Sequence, residues 1–226
     1  MRTLFIVQAL LVVALCHTSL VGAEPATTSK KVTVWEIDNL KLIGGHKVTV
    51  VGEPRVIDVG GGKAIEFDGK DDGLFVAANP LAGLEQFTAE VVFRPAAGGP
   101  KEQRFLHFQP DSVEDRGLFE TRLTTDGQWF LDTYLQTSGG KLTLYADKFL
   151  HPLDAWYAAA MVVDGTTMKH YVNGQQELSA DLKLVPLAAG QTSIGVRFNQ
   201  VHWFAGAIRQ IRISPAVLKP AELLKP

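Results

Sequence analysis

The sequence contains a single cysteine, Cys16, among its 226 residues. One cysteine cannot form an intramolecular disulfide, so a folded domain of this chain must be held together by its apolar core. Sequons for N-glycosylation are also missing, because Asn39, Asn79, Asn173 and Asn199 all lack Ser or Thr two positions later. For an exported protein, the absence of both features favours a bacterial source over a eukaryotic secretory one.

An excess of charge and the common catalytic motifs are absent too. The chain has 22 Lys and Arg against 24 Asp and Glu, a net charge of −2, and no basic block. This balance disfavours nucleic acid or an anionic membrane as the main partner. There is no Gly-rich phosphate loop and no G-x-S-x-G motif, and His46, His151 and His170 lack metal-binding spacing.

The one long apolar run lies at the N-terminus, from Leu4 to Cys16. Arg2 precedes it, and Val21 and Ala23 supply small residues at the −3 and −1 positions of a cleavage site before Glu24. The run is shorter than the ~20 residues that span a bilayer, which disfavours a membrane span. Residues 1–23 are therefore predicted to be a signal peptide, cleaved near Ala23, and the protein to be secreted or periplasmic.

The rest of the chain is a series of short apolar runs separated by Gly-rich or polar turns at roughly ten-residue spacing. This pattern predicts an all-β, two-sheet antiparallel sandwich. The predicted strands are Lys47–Val51, Arg55–Val59, Ala64–Phe67, Leu74–Val76, Phe87–Pro95, Arg104–Gln109, Gly117–Thr124, Trp129–Gln136, Lys141–Tyr145, Trp156–Val163, Thr167–Val172, Thr192–Phe198 and Ala207–Ile213.

The segment from Trp156 to Gly174 is the most informative part of the chain. Two apolar runs are each closed by a turn pair, Asp164-Gly165 and Asn173-Gly174. Asp-Gly and Asn-Gly tolerate the positive φ angles that tight hairpin turns require. The segment therefore predicts three antiparallel strands in a meander.

Several motifs occur in an order that resembles the laminin-G-like jelly-roll domains of the concanavalin A-like lectin and glucanase superfamily. They are the Trp156–Gly174 segment, Phe67–Asp72 (FDGKDD), Phe87–Pro95, Thr192–Gly195 and Phe204–Ser214. The resemblance implies a jelly roll over residues 64–223, forming a single domain with residues 32–63. Residues 24–63 are expected to hold an N-terminal segment and the first strands. A fold of this kind does not identify a ligand.

Three neighbouring predicted strands have unusually polar residues on one side. Strand alternation places Phe105, His107 and Gln109 on one face, then Glu120 and Arg122, then Phe130, Asp132, Tyr134 and Gln136. Arginine, carboxylates and an aromatic ring side by side are suited to sugar hydroxyls and apolar sugar faces. The predicted ligand-binding residues are His107, Glu120, Arg122, Asp132 and Tyr134, with Arg197 and Trp203 at the rim. The alternatives are cross-strand charge pairs on a solvated sheet and, for Trp203, burial under a strand end.

We therefore expect an exported, non-catalytic domain that binds a carbohydrate or cell-envelope glycan, with no catalytic residue. One alternative is a glycan-degrading enzyme. Glu36 and Asp38 match the start of the glucanase motif, but Lys41 replaces its second Glu. A polysaccharide lyase would use His107 and Tyr134, but the lyase strand motifs match poorly. The other alternative is a protein–protein or envelope scaffold module.

In the superfamily that this chain resembles, a calcium ion often stabilises the jelly roll. Asp68, Asp71 and Asp72 would be suitable oxygen ligands for it. In this chain, however, Arg209 and Gln210 stand where the closing strand usually carries Asp and Glu. A cation beside Arg209 would be repelled. We expect no metal or other cofactor, and we interpret Asp68 and Asp71 as turn caps.

Overall fold

The computed structural model describes residues 31–111 and 114–226, so the predicted signal peptide lies outside the described residues. The strands, in chain order, are β1 (Thr33–Glu36), β2 (Leu42–Ile43), β3 (His46–Val51), β4 (Arg55–Val59), β5 (Gly62–Asp68), β6 (Gly73–Val76), β7 (Phe87–Pro95), β8 (Glu102–Pro110), β9 (Arg116–Leu123), β10 (Gln128–Thr137), β11 (Gly140–Tyr145), β12 (His151–Pro152), β13 (Tyr157–Val163), β14 (Thr167–Val172), β15 (Gln175–Asp181), β16 (Gly190–Ile194) and β17 (Ala205–Ser214). A single 3-10 turn follows at Pro220–Glu222.

These strands form two antiparallel sheets that pack face to face. One sheet of eight strands has the order β15-β14-β13-β7-β17-β5-β4, with β1 also paired to β17. The other, of nine strands, has the order β11-β10-β9-β8-β16-β6-β3-β2, with β12 also paired to β10. The predicted two-sheet sandwich is confirmed. In the part of the chain that the structure describes, no helix is long and apolar enough to cross a membrane.

The core lies between the sheets and is built around aromatic rings. Phe93 of the eight-stranded sheet stacks on Phe105 of the other sheet, with ring centroids 4.5 Å apart. Trp129 meets Phe93 edge-on at 5.2 Å, and its indole N–H donates to the Pro152 carbonyl. Aromatic pairs of this geometry add stability beyond that of the area they bury. In a chain without disulfides, this apolar layer is what holds most of the two sheets together.

The meander predicted around the two turn pairs is confirmed by the pairing of β13 with β14 and of β14 with β15. Asn173 and Gly174 have φ angles of 51° and 80°, the left-handed values that this pair tolerates. The strand β15 follows this turn, and the side chain of its Glu177 is buried. A bulge between His170 and Tyr171 adjusts the register of the β14–β15 pair.

A chain of polar side chains crosses the interior near this meander. Thr133 of β10 contacts His170 Nδ1 at 2.9 Å, and His170 Nε2 lies 3.5 Å from the Glu177 carboxylate. Glu177 also contacts His151 Nε2 at 2.6 Å. His170 is completely buried, and this burial lowers its pKa to about 4. These contacts connect the two sheets by polar groups at one edge of the sandwich.

The prediction that Phe105 shares a face with His107 is wrong. The pairing of β8 with β9 shifts register between Arg104 and Leu106, which is a β-bulge. A bulge inserts one extra residue and changes which side chains face outward. Phe105 consequently points into the core, and Arg104 takes the outward position near His107.

Candidate functional site

The outward side chains of β8, β9 and β10 form a charged surface, which we call the polar face. It consists of Glu102, Arg104, His107, Arg116, Glu120, Arg122, Asp132 and Tyr134, and Tyr145 of β11, which pairs with Asp132, extends it. Residues opposite each other in antiparallel strands project to the same side. The register pairs Arg104 with Glu120 and Glu120 with Asp132, and it pairs His107 with Leu118 and Leu118 with Tyr134. The five sheet residues predicted from alternation therefore do lie on one face.

Arg122 lies at the centre of the polar face and contacts three carboxylates. Its Nε donates to Asp132 Oδ2 at 2.9 Å, and its Nη2 donates to Glu120 Oε2 at 3.2 Å. Its Nη1 is 2.7 Å from Glu102 Oε1. The guanidinium also lies 5.6 Å from the centre of the Tyr145 ring, in a cation–π arrangement. Arg122 is thereby fixed in one orientation.

The two acids beneath Arg122 are nearly inaccessible. Glu120 is 3% exposed and Asp132 1% exposed. Burial, together with the neighbouring Asp132 charge, raises the pKa of Glu120 to about 7, although Arg104 and Arg122 oppose the shift. Burial also raises the pKa of Asp132. Both acids act on the polar face from below, by positioning the arginines.

Two further arginines on this face were missed by the sequence reasoning. Arg104 Nε lies 3.1 Å from Glu120 Oε1, and Arg104 Nη2 lies 3.8 Å from Glu102. Arg116 stacks over the Tyr134 ring at 4.9 Å. Arg104 was missed because the bulge is invisible to simple alternation. Arg116 could have been found by extending the alternation of Glu120 and Arg122 back along β9.

His107 lies below these arginines and is fully buried. Its Nδ1 accepts a hydrogen bond from the backbone N–H of Phe198 at 3.2 Å, so its proton sits on Nε2. Burial and the charges of Arg197, Arg116 and Arg104 lower the pKa of His107 to about 3. The imidazole is therefore neutral at physiological pH and presents an uncharged N–H donor.

The loop of residues 195–203 covers one side of the polar face and carries both predicted rim residues. Arg197 and Trp203 are each partly buried. A Cβ on Gly73 would lie 3.4 Å from the Trp203 ring, so this ring packs over β6 while keeping one side open. Gln200 and His202 adopt φ angles of 56° and 61°. Positive φ in non-glycine residues is strained and is concentrated at ligand sites and switch regions.

The two carboxylates of the glucanase alternative, Glu36 and Asp38, lie away from the polar face. Glu36 is exposed on β1, which belongs to the other sheet, and accepts a hydrogen bond from Gln210 at 2.8 Å. Asp38 accepts one from the neighbouring Asn39 side chain at 2.8 Å. Neither contributes to the polar face. The glucanase-like motif therefore forms part of the β1–β17 edge.

Asp68, Asp71 and Asp72 come together after β5, with one ligand oxygen from each lying within 4.8 Å of the others. Backbone N–H groups already bind several of these oxygens. Asp72 accepts from Glu53 and Asp68, and Asp68 accepts from Lys70 and Asp71. Arg209 lies over the Trp156 ring at 5.3 Å. Asp68 is thus a turn cap, as the sequence predicted, and the second aspartate whose carboxylate binds backbone N–H groups is Asp72 rather than the predicted Asp71.

Two antiparallel sheets with a rigid charged surface on the outer side of one of them define a jelly-roll sandwich domain. The chain belongs to the concanavalin A-like lectin/glucanases superfamily, since a laminin-G family model of that superfamily matches residues 68–224. No curated protein matches the chain.

Solved structures share this fold at low sequence identity. Domain 4 of AbnA, a GH43 extracellular arabinanase from Geobacillus stearothermophilus solved with arabinotriose, is 19% identical, with a TM-score of 0.63 over 85% of this chain and 96% of that chain. The binding domain of botulinum neurotoxin DC in complex with SialylT is 12% identical, with a TM-score of 0.59 over 84% of this chain and 49% of that chain. A heptameric SAP-like pentraxin from Limulus polyphemus is 17% identical, with a TM-score of 0.55 over 70% of this chain and 77% of that chain.

Proposed function

We propose that this protein is an exported, non-catalytic glycan-binding domain whose ligand lies on the polar face. The observation that carries the proposal is the alternation of fixed guanidinium groups with tyrosine rings on that face. Arg122 lies beside Tyr145, and Arg116 stacks on Tyr134. Such an arrangement offers bidentate donors for hydroxyl groups and flat apolar surfaces for sugar rings.

The exposure of these groups suits a binding surface. Tyr145 is 48% exposed, while the Arg122 side chain is 18% exposed. Two of the three acids that hold Arg122 are buried, so this side chain is already ordered before a ligand binds and little conformational entropy is lost on binding. In this proposal, Tyr145, Tyr134, Arg122 and Arg116 contact the sugar, and His107, Glu120 and Asp132 position them. Arg197 and Trp203 form the rim.

The structural neighbours support a sugar as the ligand. The arabinanase domain was solved with arabinotriose and the neurotoxin domain with SialylT, and both have the fold of this chain. Their low identity means that they support the ligand class and not a particular sugar. The proposal includes neither a metal ion nor a nucleic-acid partner.

The state of the acids supports binding without catalysis. Retaining glycosidases need two carboxyl groups about 5–5.5 Å apart on either side of the glycosidic bond. Here both Glu120 and Asp132 are bonded to Arg122 and almost fully buried. A substrate oxygen would have to displace Arg122 to reach either acid.

The proposal is tested with Tyr145→Ala on a glycan array followed by calorimetric titration of the best ligand. Removing an exposed ring should weaken binding by about tenfold or more, because truncating an aromatic hot-spot residue costs about 2 kcal/mol or more at a binding surface. Val56→Ala, at an exposed position of the other sheet, should bind like the wild type. Both variants should keep the wild-type melting temperature.

Two outcomes would contradict the proposal. If no glycan on the array binds the wild-type protein, the ligand class is wrong. If Tyr145→Ala binds as tightly as Val56→Ala, the ligand lies elsewhere on the molecule. Release of reducing ends from mixed polysaccharides, assayed in parallel, would instead support the enzyme alternative.

A further inference from the structure

One end of the polar face brings three arginines together, and Arg197 among them has no ion-pair partner in the described residues. Arg197 is partly buried, yet within residues 31–111 and 114–226 its side chain makes no hydrogen bond or ion pair. Its pKa is lowered by burial and by the charges of Arg104 and Arg116, although the charges of Glu120 and Glu114 oppose the shift. We call Arg104, Arg116 and Arg197 the arginine cluster. Three guanidinium groups held together repel one another unless an anion lies between them.

The position of Arg197 is fixed by the backbone of its loop. The N–H of Gly195 donates to the Phe105 carbonyl at 2.9 Å, and the N–H of Arg104 donates to the His202 carbonyl at 2.9 Å. Between these, the N–H of Phe198 donates to His107 at 3.2 Å. Three hydrogen bonds along β8 therefore hold the loop against the strand that carries Arg104 and His107.

Several N–H donors in this region are buried without an acceptor. Among the described residues, Arg104 Nη1, Arg116 Nε and His107 Nε2 have no hydrogen-bond partner. A buried donor without an acceptor is costly, and native structures satisfy nearly all such groups. These three donors come from β8 and β9, next to the Arg197 loop. The region is short of negatively charged or acceptor oxygens.

The carboxylates nearby do not fill this need. Glu120 and Glu102 are shared with Arg122, which takes the shortest of these contacts at 2.7 Å. Arg116 Nη1 donates to the Glu114 backbone carbonyl at 2.6 Å and lies 3.3 Å from the Glu114 carboxylate, but Arg116 Nε has no acceptor among the described residues. The Glu114 side chain is 85% exposed, so the ion pair is strongly screened. The arginine cluster therefore keeps unused hydrogen-bonding capacity directed at the polar face.

We infer that the ligand is an acidic glycan, whose carboxylate or sulfate group binds between Arg104, Arg116 and Arg197 with His107 Nε2 as an additional neutral donor. This inference rests on the proposed glycan-binding function. An anionic group with two or three oxygens accepts several of the free N–H groups at once, and charge-assisted bonds of this kind are the strongest available to it. A neutral sugar would leave the arginine cluster uncompensated.

The test compares three probes by calorimetry with the full mature chain. They are an oligogalacturonate, the same oligosaccharide after reduction of its carboxyl groups, and a sulfated galactan oligosaccharide. We expect at least one acidic probe to bind at least tenfold more tightly than the reduced probe. Preference for the uronate or for the sulfate identifies which anion the cluster accepts. Binding of the acidic probe should weaken as salt rises.

Arg197→Ala provides the matched variant, because its side chain has no partner to lose and the fold should be retained. It should lower the affinity for the acidic probe at least tenfold and the affinity for the reduced probe less than twofold. Arg197→Lys should recover part of the affinity for the acidic probe. Arg55→Ala removes a cation from the other sheet, where Arg55 pairs with Glu66, and should change neither affinity. Melting curves confirm that each variant is folded.

The outcomes separate the inference from the proposed function. Equal affinity for the reduced and acidic probes, or a glycan array on which only neutral sugars bind, overturns the acidic-ligand inference and leaves glycan binding intact. An array with no bound glycan overturns both. Loss of affinity for the acidic and reduced probes alike in Arg197→Ala would also contradict the assignment of the anion to this cluster.

Discussion

At the scale of single residues, Arg122 determines whether the polar face can exist. It contacts Glu102, Glu120 and Asp132, and the last two are buried. A buried carboxylate that loses its cation keeps the cost of dehydration without the compensating attraction. The charge pattern on this face is thus part of the folded structure as well as a surface for ligands.

We predict that Arg122→Ala lowers the free energy of unfolding by about 3–5 kcal/mol at pH 8, as expected when a buried ion pair loses one partner. Combining it with Asp132→Asn should recover part of that loss, because Glu120 keeps its contact with Arg104 and Asp132 no longer carries a buried charge that has lost its cation. Urea unfolding measures both changes. Arg55→Ala, which breaks an exposed pair with Glu66, should cost less than about 1 kcal/mol. Equal losses for Arg122→Ala and Arg55→Ala would contradict this account.

Residue positions on the polar face could be predicted only partly from the sequence. Alternation along β9 and β10 correctly placed Glu120, Arg122, Asp132 and Tyr134 together. It failed in β8, where the bulge turns Phe105 inward and leaves Arg104 outward. A bulge depends on how neighbouring strands pair, so a single strand's sequence does not reveal it.

At the scale of elements, the β13–β14–β15 meander couples strand pairing to a buried histidine. His170 on β14 is held between Thr133 of β10 and Glu177 of β15. Its pKa is lowered to about 4 by burial, whereas an unfolded histidine titrates near 6.5. The unfolded chain therefore binds a proton at a pH where the folded chain does not. The contribution of His170 to stability is complete above pH 6.5 and is lost as the pH falls toward 4.

We predict that the free energy of unfolding of His170→Asn, measured relative to that of the wild type, rises by about 2 kcal/mol when the pH is lowered from 7 to 5. Asn can still accept from Thr133 but takes up no proton. The comparison uses urea unfolding at several pH values. His46→Asn, at an exposed position, should show no such gain. A constant difference between His170→Asn and the wild type across this range would show that His170 titrates alike in the folded and unfolded states, which contradicts the lowered pKa.

Element boundaries were the most predictable part of the fold. All thirteen strands expected from the sequence have a counterpart, because Gly-rich and Asp-Gly or Asn-Gly turns mark most of their ends. The strand expected at Thr192–Phe198 has the wrong bounds, since it runs from Gly190 to Ile194 and the residues after Ile194 form the loop. The strand β15 was expected only as the third strand of the meander, without bounds. The strands β1, β2 and β12 were not predicted. The strands β1, β2 and β12 are two to four residues long, and they form by pairing with β17, β3 and β10 respectively. Such strands have too little sequence pattern of their own to be recognised.

At the scale of the whole molecule, the superfamily motifs indicated the two-sheet architecture, while the polar interior required three-dimensional pairing. The contacts of His170 with Thr133 and of His151 with Glu177 join residues 37 and 26 positions apart. Periodicity within a strand says nothing about such partners. The same limit applies to Arg197, which reaches the polar face through the hydrogen bonds of its loop with β8.

The proposed export can be tested through Cys16, because no other cysteine follows it in the sequence. Cleavage before Glu24 would remove Cys16, so the mature chain should carry no thiol. Mass spectrometry of the secreted or periplasmic protein should find Glu24 as the first residue. Its melting temperature should be the same with and without reductant. A cytosolic protein that keeps Cys16, or a lipid attached to that residue, would contradict the proposed export.

The pairing of β1 with β17 has a consequence for how the domain can be displayed. Thr33 lies opposite Ile213 in the eight-stranded sheet, whereas the arginines belong to the other sheet. A tether attached near either residue would leave from the back of the sandwich and present the arginines outward. Several copies anchored in this way would bind successive units of one glycan chain, so their combined avidity would exceed the affinity of a single site.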